Sequence, residues 1–282
     1  MGKTKKEHFI PRAAFLRRFS DTRFQDDRKN KLLAYSKAEA RVIQTNVYDS
    51  AAVNSIYENT IFEENQIEKT FSELETDLSV FFDLLEKICT NPANKDALVL
   101  RSFDERDNLK FFVVWQFFRT EKRKKETQEK SDSLNAGTLD FLWRLVGIDS
   151  DNTSVLVKWK DTLASHYFVF ERNLTEIPFV LPDDPVFVFR SELDAPKAVS
   201  FRFPLTPLVQ VLLIDPSGSE HEKMKHYRNR IRYCDDESYI NQWNNMSISE
   251  SYRHVYITPG KEKKVLQEIR TRARKGLIAA NN

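Results

Sequence analysis

Glycine is scarce in this chain, with six in 282 residues. Few positions can take a positive φ without strain, and neither a GxGxxG nor a Walker-type run occurs. That leaves almost no room for Gly-rich phosphate loops. Cysteine is scarcer still. Cys89 and Cys234 are the only two. They form no CxxC pair and have no histidine cluster at ligand spacing, which argues against a thiolate zinc site and a disulfide framework. Two lone thiols suit a reducing compartment, and a cytoplasmic protein is expected. No apolar run approaches the roughly 20 residues that span a bilayer, so no membrane partner is expected. The opening MGKTKKEHF has no apolar stretch of the kind that marks a secretory signal. A nucleophile-elbow serine, an HExxH pair and internal repeats are also absent.

Phenylalanine is plentiful at 21 residues, charged residues make up 30%, and the net charge is +2. The near-balance says little about partners, but its distribution says more. Residues 119–130 (RTEKRKKETQEK) and 261–275 (KEKKVLQEIRTRARK) are basic, and 57–77 is acidic. A basic helix face can meet a phosphate backbone or can simply be solvated.

The spacing predicts two short strands over 31–47. A long amphipathic helix is predicted through Ile67, Phe71, Leu74, Leu78, Phe81, Leu85 and Ile88, stopped by Pro92. A second long helix is predicted over 104–130. Its middle, LKFFVVWQFF, is apolar on nearly every face and so belongs inside, while its charged second half emerges into water. Shorter helices are expected at 134–148 and 153–167. From residue 167 the texture changes to Phe/Val-rich runs bounded by proline, which read as strands of one sheet. A helix over 236–251, a strand over 254–258 and a basic terminal helix closed by Gly276 complete the reading. Helices first and strands later argue for an α+β fold: a helical N-terminal part with a small β-hairpin, then a mostly antiparallel sheet with a terminal helix. One compact domain is expected, with subregions 1–166 and 167–282.

Four places could carry chemistry. Glu68 and Glu75, seven apart, flank the apolar seam of the first long helix, where a carboxylate is partly desolvated or paired. Gln116 interrupts an apolar run, and Arg119 and Arg123 follow on the same face. That line could hold a phosphate or carboxylate, or a neighbouring loop and acid. His8 precedes Phe9, Ile10, Phe15, Leu16 and Phe19, which would pin it. A pinned imidazole is expected to titrate near neutrality, as an acid–base group or as a tie for the N-terminal arm. Asp183 and Asp184 precede Pro185, which keeps Asp184 extended and can present an acid at a sheet end, or form an ordinary turn.

KKEHFIPRAAFLRRFS resembles the opening of an uncharacterised, mostly bacterial family catalogued as domain of unknown function 4238. Its motifs match His8 and Pro11, Glu68 and Glu75, then Gln116, Arg119, Thr120 and Arg123, then Asp183 and Pro185, then FPLTP at 203–207. The chain departs from the pattern at Glu121, where proline is usual, and at Pro182 and Asp184, which replace serine and asparagine. The resemblance covers roughly residues 3–260. It implies that His8, Glu68, Glu75, Gln116, Arg119 and Asp183 converge, but brings no known reaction.

The leading expectation is a phosphodiester-cleaving enzyme, a nuclease of the kind used in bacterial antiphage defence or as a toxin. His8 would be acid or base and Arg119 the phosphate holder. Glu68, Glu75 and Asp183 would bind Mg²⁺ or another divalent cation. Arg123, Lys124, Lys125, Arg270, Arg272 and Arg274 would guide DNA or RNA. The alternatives are a non-catalytic module that binds nucleic acid, a protein partner or a second copy, its polar constellation being structural, and a small-molecule or nucleotide hydrolase.

Overall fold

The computed structural model describes residues 6–54, 66–130, 161–189 and 198–274. The fold is α+β. Strand β1 (Lys6–His8) leads into a wide helical turn (Arg12–Leu16) and the short α1 (Arg17–Phe19). The hairpin β2 (Lys31–Ser36) and β3 (Arg41–Asn46) follows, then β4 (Ala52–Asn54). Helices α2 (Gln66–Thr90), α3 (Phe103–Phe118) and α4 (Glu121–Lys130) come next. The remainder is β5 (Tyr167–Asn173), β6 (Leu181–Pro182), β7 (Phe187–Phe189), β8 (Ser200–Thr206), β9 (Val209–Ile214), α5 (Glu220–Met224), β10 (Arg230–Cys234), α6 (Glu237–Glu250), β11 (His254–Ile257) and α7 (Glu262–Arg274).

The Phe/Val-rich runs do not form one sheet. Five strands pair in the order β10-β5-β9-β8-β7, while β6 leaves that set and joins β3-β2-β11-β6. The N-terminal hairpin is thus completed by strands from the far end of the chain. Pairing is antiparallel except for β10 on β5. β10 alternates charge with Ile231 and Tyr233, a period-2 signal that the sequence reading does not use. The segment 131–160, which holds most of the two shorter predicted helices, lies outside the described residues.

One aromatic cluster ties the layers together. Phe15 of the N-terminal turn, Phe82 of α2, Phe112 of α3 and Phe203 of β8 lie with ring centroids 5.0–6.0 Å apart. All four are fully buried or nearly so. Burying each ring contributes about 1.5–3 kcal/mol. On α2 the buried stripe runs through Phe82, Leu85 and Cys89, with Leu78, Phe81 and Ile88 half-buried beside it.

The predicted 104–130 helix is two helices. A capping box between Ser102 and Glu105 starts α3. Its last turn ends at Arg119, and α4 begins at Glu121. The break directs Arg119 toward the N-terminal strand and the Thr120 hydroxyl to Asp184 Oδ1 at 2.8 Å.

Candidate functional site

β1 pairs with β4 along one edge only, which leaves the carbonyls on its other side in need of donors. Side chains of α3 supply them. Gln116 Nε2 donates to the Phe9 carbonyl at 3.0 Å, and Arg119 Nη2 donates to the His8 carbonyl. The other arm of Arg119 pairs with Glu75 Oε1 at 2.7 Å, and its guanidinium stacks 4.2 Å over Trp115. Residues three apart on a helix point the same way, so one face of α3 grips two consecutive peptide units. Gln116, His8 and Arg119 are all buried. The clamp therefore brings together Glu75, Gln116, Arg119 and the backbone at His8. Glu68 lies on α2, but its side chain is outside the described residues.

The His8 ring itself bonds to the segment between β3 and β4. Its Nε2 donates to the Tyr48 carbonyl at 3.0 Å, which fixes the neutral tautomer. Burial, and then Arg12, push its pKa down to about 4. This corrects the expectation of titration near neutrality: desolvation and a nearby cation both disfavour the imidazolium.

Asp183 is occupied by backbone. Its carboxylate accepts from the N–H groups of Tyr252, Arg253 and His254 at 2.7, 2.6 and 2.9 Å. This anchors the turn into β11 beside β6. Its burial outweighs these bonds and raises its pKa. Asp184, also fully buried, accepts from Thr120 and lies 3.0 Å from Arg123 Nη2 and 3.8 Å from Lys122 Nζ. Burial pushes it up to about 6. Both carboxylates proposed as metal ligands and visible here, Glu75 and Asp183, thus already face donors. Among the described residues no group of three or more His, Cys, Asp or Glu side chains is placed to hold a metal ion.

Of the expected nucleic-acid contacts, Arg123 is tied inward to Asp184 and Glu126 and lies over Phe117. Lys125 Nζ lies 5.7 Å from the Tyr252 ring. The side chains of Lys124, Arg270, Arg272 and Arg274 lie outside the described residues.

These anchors surround a half-open cleft of about 160 Å³. Its floor is a cross-strand row on the four-stranded sheet, Ile43–Ala34–Tyr256. The small Ala34 between two larger neighbours makes the hollow. Phe9, held by the clamp, closes one side, and Asp183, His254, Arg253 and Glu121 form another. Asp49, Ser50 and Thr45 add polar groups. Arg253 and Glu121 pair at 2.6 Å. Ala51, also in the wall, sits at φ +51°, a left-handed conformation costing about 1 kcal/mol or more for a non-glycine residue. Two bonds hold it there: its N–H donates to the Tyr256 hydroxyl at 2.9 Å, and its carbonyl accepts from Phe9 at 3.1 Å.

His254, Arg253, Glu121 and Asp49 are the cleft groups that sequence reasoning misses. The available signal is the alternation in HVYI, which puts His254 and Tyr256 on one strand face.

Three segments that carry the family resemblance, around His8–Pro11, Gln116–Arg123 and Asp183–Pro185, thus meet at the rim of this cleft. No curated protein and no solved structure matches the chain. A family model described as a protein of unknown function (DUF4238) matches residues 6–261, and the chain belongs to that family.

Proposed function

We propose that the chain is a phosphodiester-cleaving enzyme working on nucleic acid at the Ala34–Tyr256 cleft. What carries this reading is the meeting, in one half-open cleft beside the basic α4, of an imidazole, a guanidinium and two carboxylates, Glu121 paired with Arg253 and Asp49 accepting from Asn46. His254 is the acid–base group in place of His8, whose ring is committed to Tyr48. Arg253, oriented by Glu121, takes the phosphate charge. A Mg²⁺ ion arriving with substrate would have to draw Asp49 from Asn46 or Glu121 from Arg253, since such ions use one or two carboxylates together with phosphate oxygens. The clamp of Gln116, Arg119 and Glu75 positions the Phe9 wall rather than touching substrate.

A second reading, a non-catalytic binding module, is favoured by the pairing of Arg119 with Glu75 and the His8 carbonyl, and by the backbone bonds that occupy Asp183. One experiment separates the two. Labelled single- and double-stranded DNA, RNA and tRNA are incubated with the protein in Mg²⁺, Mn²⁺ or EDTA, and cleavage and mobility shift are both read. The enzyme reading expects cleavage that His254→Ala lowers at least a hundredfold while binding persists. A mobility shift without cleavage favours the binding module. Cleavage indifferent to His254→Ala and Arg253→Ala removes the cleft as the reaction site, and neither cleavage nor shift rejects both readings.

A further inference from the structure

The five-stranded sheet carries a buried charged row on the face covered by α6. Arg232 of β10, Glu171 of β5 and Gln210 of β9 are cross-strand neighbours, and Arg202 reaches the row from β8. Glu171 and Gln210 are fully buried and Arg202 is 1% exposed. Glu171 accepts from Arg232 Nη1, from Gln210 Nε2 and from the Tyr239 hydroxyl at 2.8 and 2.9 Å. The Gln210 carbonyl in turn accepts from Arg202 Nη2. Burial and the adjacent Glu171 raise the Tyr239 phenol, which stays neutral. One carboxylate therefore faces two guanidinium groups, Arg202 fully buried and Arg232 a quarter exposed, at 25%.

Arg202 is the group left short. Its Nη2 bonds to Gln210, but its Nε and Nη1 are buried without a hydrogen-bond partner. The guanidinium lies 3.5 Å over the Trp243 ring and 5.2 Å from that of Phe187. Those ring faces attract the cation but accept nothing from its in-plane N–H groups. Trp243 Nε1 is likewise buried and unpartnered. Three unmet donors and a buried guanidinium thus gather where Arg202 and the indole stack. Buried donors of this kind are rare in folded proteins and call for an acceptor.

We propose that Arg202 and Trp243 form a binding site for a small anion, a monocarboxylate or inorganic oxyanion, between β8 and α6. The charge selects an anion, the in-plane donors select oxygen acceptors, and the close packing of the buried Phe187, Phe189 and Trp243 restricts it to a small one. Phe189 and Trp243, 7% and 8% exposed, mark the side from which it enters. The site lies on a different sheet from the cleft and does not depend on the reaction assigned there.

The test is thermal unfolding of the full chain at constant ionic strength, titrated with formate, acetate, phosphate or chloride, with tryptophan fluorescence read in parallel. The expected result is a saturable rise in Tm with formate, acetate or phosphate, and a fluorescence change that Trp243→Phe removes. Arg202→Lys keeps the charge but alters donor geometry, and should weaken the apparent affinity at least tenfold. Arg202→Met should abolish the response, and if that variant does not fold, Arg202→Lys and Trp243→Phe decide. No saturable response in the unaltered protein, or the same response in Arg202→Lys and Trp243→Phe, overturns the proposal.

Discussion

Arg119 donates to the backbone carbonyl of His8, 111 residues earlier in the chain, while its second arm pairs with Glu75. Removing one member of such a buried pair strands the other. Arg119→Met is expected to cost about 3–5 kcal/mol in urea unfolding, with Arg119→Lys recovering only part because it lacks the two-armed fork. Trypsin should also cut faster at Arg12 in the variant. Unchanged unfolding midpoints would remove the clamp from the account of stability.

His8 and Asp184 are expected to pull stability in opposite directions over the same pH range. His8, held down to about 4, takes up a proton on unfolding between that value and its ordinary 6.5. Its contribution is complete above pH 6.5 and is lost as pH falls toward 4, by about 3 kcal/mol at full extent. Asp184, pushed up to about 6 from 3.8, releases a proton on unfolding within that interval. Its contribution is lost as pH rises from about 4 to 6, again by about 3 kcal/mol. The unaltered protein should show a shallow profile across pH 4–6. His8→Gln should lose stability as pH rises there, and Asp184→Asn should gain it. Denaturant titrations at unit steps from pH 4 to 7 check this, and parallel profiles for all three proteins would contradict it.

Asp183 satisfies three backbone N–H groups at the entry to β11. Asp183→Ala leaves all three without their acceptor. A loss of about 3 kcal/mol or more is expected, since each unmet buried donor costs on the order of 1–3 kcal/mol. Hydrogen exchange at the Tyr252, Arg253 and His254 amides should accelerate in Asp183→Ala and much less in Asp183→Asn, which keeps one oxygen acceptor. Equal protection in Asp183→Ala and the unaltered protein would rule out this anchoring role.

Both cysteines should be chemically silent in the folded state. Cys89 and Cys234 are buried, and burial pushes the Cys89 thiol up to about 12. The thiolate is the reactive form. A disulfide reagent at pH 8 should therefore titrate neither thiol until denaturant is added, and both afterwards. Fast labelling of the native protein would count against this packing.

Much of the fold is legible where local periodicity decides. The three-and-four spacing marks α2, and the polar turn between an apolar run and a β-branched one marks the β2–β3 hairpin. The break between α3 and α4 is not legible, because no glycine or proline signals it. It follows from where Arg119 and Thr120 find partners, on β1 and at Asp184. The division into two sheets is hidden for a similar reason. β6 has only two residues, and its pairing with β11 accompanies the capture of 252–254 by Asp183. At the site, Gln116 stands out as a polar residue in an apolar run. Its partner is a main-chain carbonyl, a group every residue carries, so no residue type advertises it. The strand over 254–258 is readable, but nothing in it says that His254 faces a hollow made by Ala34.

Because β11 lies between β2 and β6, the β2–β3 hairpin cannot complete its sheet until the chain has been made as far as Ile257. Lys37, at the end of β2, hydrogen-bonds to Ser251, 214 residues further on. At roughly 5–20 residues per second, a ribosome needs about 10–40 s to cover that distance. Throughout that interval the open edge of β2 can pair with any extended segment nearby. Production of this protein should accordingly respond to chaperone supply and to less frequent initiation of translation, which lower the number of half-made chains meeting one another, more than to changes on the finished surface.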